Sequence, residues 1–284
     1  MMKVVIMAGG KGTRIASIAN DIPKPMIKIC GKPILQYQIE NLKNCGLTDI
    51  TLVIGHLGEK IKEYFEDGKK LGVKINYYTE NHPLGTAGAL FNMPQLTEDF
   101  LLLCGDVMLD VDFNRFIAFH KEKNALASLI SHPNGHPYDS SLLVTETLPP
   151  NIIGGMPYDS HKVVKWLTKE EKRLFYKNRV NAGIEIISPE LLEITRKSFV
   201  PRNPNIPDKI DLDRDVLKPG IKSGRIYAYD TPEYIKDMGT PERYHETEND
   251  IKKGIVKAKN LSRKQKAIFL DRDGTINKMN GFIT

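Results

Sequence analysis

A chain of 284 residues, 40% hydrophobic and 27% charged, is long enough to bury one sizeable core with little left over. No apolar run reaches membrane-spanning length, and the three cysteines, Cys30, Cys45 and Cys104, are too few and too scattered for a disulfide framework or a zinc site. The formal charge of +6 is local: residues 251–266 hold seven basic and no acidic side chains, and outside them 34 basic residues face 35 acidic ones. No aromatic residue interleaves with those lysines, so the segment reads as a solvated connector and not as a nucleic-acid or membrane footprint. A reducing, cytoplasmic setting is expected.

Val4-Val5-Ile6-Met7 reads as a buried strand that ends in Gly9-Gly10. Pro33 opens an amphipathic helix with Leu35, Ile39 and Leu42 on one stripe, stopped by Gly46. Then come a strand at 50–54, a helix at 59–65, a strand at 73–77, a helical stretch at 88–92 and a fully apolar strand at 100–104. Residues 113–123 read as helix and 125–131 as strand. This alternation predicts an α/β fold, a Rossmann-like, mixed but mainly parallel sheet with helices on both faces. In the second half, 132–137, 149–157 and 201–207 read as loops, 180–187 and 225–229 as strands, and 189–196 as a helix. Ala267-Ile268-Phe269-Leu270 reads as a further strand.

Ligands of such sheets bind beyond the carboxyl ends of the strands, which is where Gly9-Gly10-Lys11-Gly12-Thr13-Arg14 and Asp106 fall. Three glycines let consecutive N–H groups face an anion, although the spacing is neither GxGxxG nor that of a P-loop. Arg14, and Lys24 held in extended backbone between Pro23 and Pro25, turn a plain glycine turn into a polyphosphate site. Asp106 follows five apolar residues, where a charge is tolerated only at the strand's mouth. It reads as a Mg²⁺ ligand against the blander alternative of a turn aspartate. Asp237 is a second isolated carboxylate before a turn, whereas Asp110 and Asp112 read as capping or solvated residues.

Six motifs in order, MAGGKGTR (7–14), PKPM (23–26), PLGTAGAL (83–90), LLCGDV (102–107), NAG (181–183) and DMGTPERY (237–244), resemble the sugar-1-phosphate nucleotidyltransferases. The resemblance covers roughly residues 2–245 and implies transfer of a nucleotidyl group to a sugar-1-phosphate, with pyrophosphate released. It implies that Ala8, Gly9, Gly10, Gly12 and Thr13, with Glu80, Gly85 and Thr86, bind the nucleotide. Arg14 and Lys24 would contact its phosphates, and Asp106 and Asp237 would hold Mg²⁺. Asn181 and Gly183 would line the sugar pocket, and Lys169 would hold the sugar phosphate. Where that family commonly has a glutamate before this lysine the chain has Thr168, so Glu170 or Glu185 would supply the sugar-hydroxyl contact. Glu80 falls where the family grips the base; a carboxylate suits the adjacent N–H donors of guanine, which favours GTP over UTP, CTP or dTTP.

Residues 267–277, AIFLDRDGTIN, resemble the opening motif of haloacid-dehalogenase-type phosphatases, in which Asp271 would be the nucleophile and Asp273 the acid/base. These readings divide the chain into a transferase domain (1–248), a basic linker (249–266) and the truncated start of a phosphatase domain (267–284) from a longer bifunctional protein. A heptose-bisphosphate phosphatase would supply heptose-1-phosphate, which makes a heptose-1-phosphate guanylyltransferase for cell-surface glycan synthesis the leading expectation. A mannose-1-phosphate guanylyltransferase comes next, and another sugar-1-phosphate uridylyl-, thymidylyl- or cytidylyltransferase stays open. A non-catalytic nucleotide-sugar sensor is the rival of another class, and homo-oligomerisation is left open.

Overall fold

The computed structural model describes residues 2–9, 21–135, 140–150, 156–168, 176–199, 209–266 and 268–270. In chain order the first half forms β1 (Lys3–Met7), β2 (Lys28–Ile29), β3 (Lys32–Pro33), α1 (Ile34–Asn44), β4 (Asp49–Ile54), α2 (Gly58–Phe65), β5 (Lys74–Thr79), β6 (Phe100–Cys104), β7 (Val107–Asp110) and α3 (Phe113–Glu122). The second half forms β8 (Ala127–His132), β9 (Leu142–Leu148), β10 (Tyr158–Leu167), β11 (Val180–Ile187) and α4 (Pro189–Ser198). A π-helical turn (Leu212–Leu217) then runs into α5 (Lys218–Gly220), followed by β12 (Ile226–Asp230), β13 (Tyr234–Asp237), α6 (Pro241–Lys252) and α7 (Ile255–Ala258).

The main sheet has the order β5-β4-β1-β6-β11-β8-β12-β10-β9. β5, β4, β1 and β6 are mutually parallel, and β12 lies parallel to β8. β11 and β10 run the other way, so the sheet is mixed but mainly parallel in direction. Both faces are covered, which explains the unbroken apolar strands. Their alternate residues sort to two cores: Ile6, Leu52 and Leu101 pack with Leu35, Ile39 and Ile61 of α1 and α2. Val5, Val53 and Leu102 pack with Leu90, Leu191 and Leu217 on the opposite face. The predicted strands and helices of the first half are all present; residues 88–92 form a 3₁₀ helix.

β7, β9, β10 and β13 were not legible as strands. β9 and β10 pair through a ladder interrupted by register shifts, and β7 and β13 form a separate two-stranded ladder. The basic segment also differs from a solvated connector. α6 runs through the expected boundary at 248, and Val256 and Asn260 are buried. Asn260 Nδ2 donates to Asp110 Oδ1 at 2.5 Å, and the Leu261 N–H donates to Glu233 Oε1 at 2.8 Å. Ile251, Ile255 and Val256 face the core while the lysines point outward, so a charge count alone misreads the segment. Ile268, Phe269 and Leu270, expected to form a strand, are exposed and outside any regular element.

Candidate active site

β1 and β6 lie side by side, so their carboxyl ends deliver Gly9 and Asp106 to one edge of the sheet. The turn after β6 is tight. The Gly105 N–H donates to the Met7 carbonyl at 3.0 Å, and a Cβ at Gly105 would sit 2.9 Å from that same oxygen. Only glycine fits so close an approach. Gln38, fully buried on α1, straps the turn from below: its Nε2 donates to the carbonyls of Cys104 (2.9 Å) and Val107 (2.6 Å). Lys24 belongs to a short 3₁₀ turn (Lys24–Met26), not to extended backbone, and this turn aims its ammonium at the Asp106 carboxylate in an ion pair.

Asp237 arrives from the far end of the chain. β13 pairs antiparallel with β7, so Asp237 stands opposite Val107, and the Met238 N–H donates to the Asp106 carbonyl at 3.1 Å. The Asp237 carboxylate accepts from the Gly239 N–H at 3.1 Å and from the Arg243 guanidinium. Thr240 caps α6 by accepting from the Arg243 N–H, which fixes where that arginine starts. Asp106 and Asp237 thus neighbour each other, each with a cation beside it. Asp110 instead bonds Asn260 and Asn41, and Asp112 caps α3.

Both carboxylates line a cavity of about 820 Å³ whose inner wall includes Cys104, Asn181, Gly183 and Asp213. A register shift in β11 between Asn181 and Glu185 turns the Asn181 side chain toward this wall. Its Nδ2 donates to Glu185 Oε1 at 3.0 Å and to Asp213 Oδ1 at 3.3 Å, and its Oδ1 accepts from the Gly183 N–H at 3.4 Å. Glu185, expected as a sugar contact, is fully buried behind the wall and does not line the cavity; Asp213, which sequence reasoning missed, does. Burial first, then the Asp213 carboxylate, pushes the Glu185 carboxyl up to about 8; Asn181 opposes the rise. Burial and Asp211 push Asp213 to about 6.

The nucleotide-side residues are placed differently. Ala8 is tied to β4 through its N–H on the Val53 carbonyl at 2.8 Å. Glu80 follows β5 and faces the end of β1: a Cβ at Gly9 would lie 3.4 Å from Glu80 Oε2. Glu80 Oε1 is buried without a partner, and burial raises this carboxyl, opposed by a backbone hydrogen bond from Leu84 and by His82. Gly85 and Thr86 hold a neighbouring segment. Gly85 has φ +87°, and a Cβ there would fall 2.4 Å from the Ile210 carbonyl; Thr86 Oγ1 accepts the Leu212 N–H at 2.7 Å. Gly10, Gly12, Thr13, Arg14, Lys169, Glu170, Asp271 and Asp273 lie outside the described residues. Gln38 left one signal in the sequence, a polar residue on the apolar stripe of Leu35, Ile39 and Leu42. Arg243 lay within the DMGTPERY motif without a role of its own, and Asp213 left no signal.

The nucleotidyl transferase family profile matches residues 3–254. This chain belongs to that family. It is 31% identical over 241 residues to a UTP–glucose-1-phosphate uridylyltransferase of Synechocystis sp., covering 78% of this chain and 56% of the relative. A mannose-1-phosphate guanyltransferase beta-A of Xenopus laevis is 29% identical over 248 residues, covering 86% of this chain and 62% of the relative. The chain therefore spans less than two thirds of these curated relatives. The crystal structure of HddC from Yersinia pseudotuberculosis complexed with GMP-PN superposes with a TM-score of 0.65 at 25% identity, over 88% of this chain and all of that one. Among the described residues no helix is long and apolar enough to cross a membrane, and no group of three or more His, Cys, Asp or Glu side chains could hold a metal.

Proposed function

We propose that this chain joins GTP and a sugar-1-phosphate into a GDP-sugar and pyrophosphate, with D-glycero-D-manno-heptose-1-phosphate as the preferred acceptor and mannose-1-phosphate next. The observation that carries the reading is the adjacency of Asp106 and Asp237. They are 131 positions apart in the chain, yet a short ladder sets them side by side at a cavity with Asn181 and Gly183 on its inner wall. In the reaction an anionic oxygen of the sugar phosphate attacks the α-phosphorus of GTP. The bond from that phosphorus to the bridging oxygen breaks, and pyrophosphate leaves with the electron pair. No proton has to be removed from the attacking oxygen, so the protein's task is to align two polyanions and offset their repulsion.

Asp106 and Asp237 offer only hard oxygen donors, and their side chains are 36% and 48% exposed, so substrate phosphates and water can complete a shared cation's shell. This donor set fits Mg²⁺, which when bound would neutralise phosphate charge between the two substrates. Lys24, beside Asp106, would contact the transferring phosphate. The resemblance assigns the departing pyrophosphate to Arg14 and the sugar phosphate to Lys169.

Guanine is supported by the buried, partnerless Oε1 of Glu80 next to the end of β1, and by the guanyltransferase and GMP-PN relatives. The uridylyltransferase relative weighs on the other side. Heptose is supported by the phosphatase-like motif at 267–277. A pyrophosphate-release screen of GTP, UTP, CTP and dTTP against heptose-1-phosphate, mannose-1-phosphate and glucose-1-phosphate tests the reading. GTP with heptose-1-phosphate should turn over fastest. Preference for another base or sugar overturns that choice, and no release from any pair overturns transfer itself.

A further inference from the structure

We infer that Asp213 recognises a hydroxyl of the sugar, with Asn181 and Glu185 as its positioning residues. The inference rests on the transferase reading and names the group that would distinguish one sugar from another. A sugar presents hydroxyl donors, and each needs an acceptor once water is excluded. Among the described residues, the carboxylate beside Asn181 and Gly183 at the inner wall is Asp213; the other described acidic residues around the cavity are Asp106 or come from β13, α6 and the turn before β13.

Asp213 is placed with unusual care. It lies on the π-helical turn, a backbone form that recurs at functional sites because it widens the helix locally. The start of that turn is fixed three times over. Asp211 accepts the Arg214 N–H at 2.9 Å, Asp215 accepts the Asp211 N–H at 2.7 Å, and Thr86 accepts the Leu212 N–H. Leu212, Val216 and Leu217 anchor the other side in the core. Behind Asp213, the Asn181 amide is shared by two carboxyl groups, and Glu185 Oε2 is fully buried with no partner. Among the described residues no cation pairs with either carboxyl. One neutral amide serves two acids, and Asp213, which lines the cavity, keeps acceptor positions that a ligand's hydroxyl can fill. The Thr86 contact also ties a residue expected on the nucleotide side to the turn that carries Asp213.

The test compares wild type with Asp213→Asn, Asp213→Ala and Glu185→Gln, using GTP with heptose-1-phosphate, mannose-1-phosphate and monodeoxy mannose-1-phosphates. Asp213→Ala should raise the KM for the sugar phosphate about 10-fold or more while the KM for GTP stays within about twofold. One monodeoxy analogue should lose its penalty in the Asp213 variants, because the hydroxyl and its acceptor are then both gone. Thermal melts select whichever Asp213 variant keeps the fold. Glu185→Gln should raise the sugar KM less than Asp213→Ala does and remove its pH dependence between pH 7 and 9, a change that a purely structural role would not produce. An unchanged sugar KM, or equal losses for sugar and GTP, overturns the inference while wild-type turnover leaves the transferase reading standing. A wild type that releases pyrophosphate with no sugar overturns both.

Discussion

Asp106 and Asp237 at the mouth of the cavity, and Glu185 and Asp213 at its inner wall, are two pairs of carboxyl groups that the fold treats in opposite ways. At the mouth each acid has a cation beside it, Lys24 for Asp106 and Arg243 for Asp237, and each is partly exposed. At the wall the acids share a neutral amide instead, Glu185 is fully buried, and the carboxyls rise to about 8 and about 6. Charge at the mouth is matched and available to a metal or phosphate contact. At the wall Glu185 keeps its proton at neutral pH, because an unpaired ion in a low-dielectric interior is costly. Asp213, raised less, stays mostly ionised and can serve as an acceptor. One pair is suited to polyanion chemistry, the other to binding neutral hydroxyls.

The largest effect that would break this division is at the mouth. Asp106→Asn and Asp237→Asn should each lower kcat by about 10²-fold or more, on the scale of removing one preorganised charge, with the melting temperature little changed. Near-wild-type rates at limiting Mg²⁺ would sink the assignment. Gln38→Met should come next. It removes the donor to two buried carbonyls beneath the Asp106 turn, at a cost of roughly 1–3 kcal/mol, which thermal or denaturant unfolding would measure. A loss of kcat beyond that stability change would show that the strap positions Asp106.

Much of this arrangement was legible in the sequence, for physical reasons that differ by element. Asp106 stood out because five apolar residues precede it, and Gly9 because a buried strand cannot continue through paired glycines. The parallel block of the sheet could be read from its continuous apolar runs. The wall was harder. Glu185 looked like a surface-capable contact residue, yet its strand is covered on both faces, so it lies inside. Asp213 sits among Asp211, Arg214 and Asp215, a charged string in which no pattern singles out one carboxyl, whereas in the fold Leu212 and Val216 anchor the turn. The basic segment misled for the same reason, since its few apolar residues decide where it packs.

A smaller effect would sharpen the description of the wall. Glu185 binds its proton in the folded state up to about pH 8, whereas unfolded it would lose it near 4.5. Between those values the folded state holds more protons than the unfolded one, so stability is fully present below about pH 4.5 and declines as pH rises toward 8. Glu185→Gln should flatten that slope, and at pH 9 it should raise the melting temperature by about 2–4 °C, a gain on the order of 1 kcal/mol. An unchanged slope from pH 5 to 9 would mean that Glu185 is ionised in place and that the wall is charged like the mouth.

The smallest effect asks whether a third carboxyl belongs with the wall or with the mouth. Glu80 is partly buried, its Oε1 has no partner, and burial raises it, so by environment it belongs with the wall. By its proposed role it accepts two N–H donors from guanine. Glu80→Gln keeps the shape but leaves one acceptor where there were two, and it sets an amide N–H against a base donor. The loss of one such hydrogen bond, about 1 kcal/mol, should raise the KM for GTP roughly fivefold. UTP gives an internal control, because uracil presents one donor between two acceptors and the substituted amide can serve it about as well. A fall in the GTP-to-UTP preference measured by competition would place Glu80 at the base. An unchanged preference would leave Glu80 as a buried spacer behind Gly9 and remove the structural reason for choosing guanine.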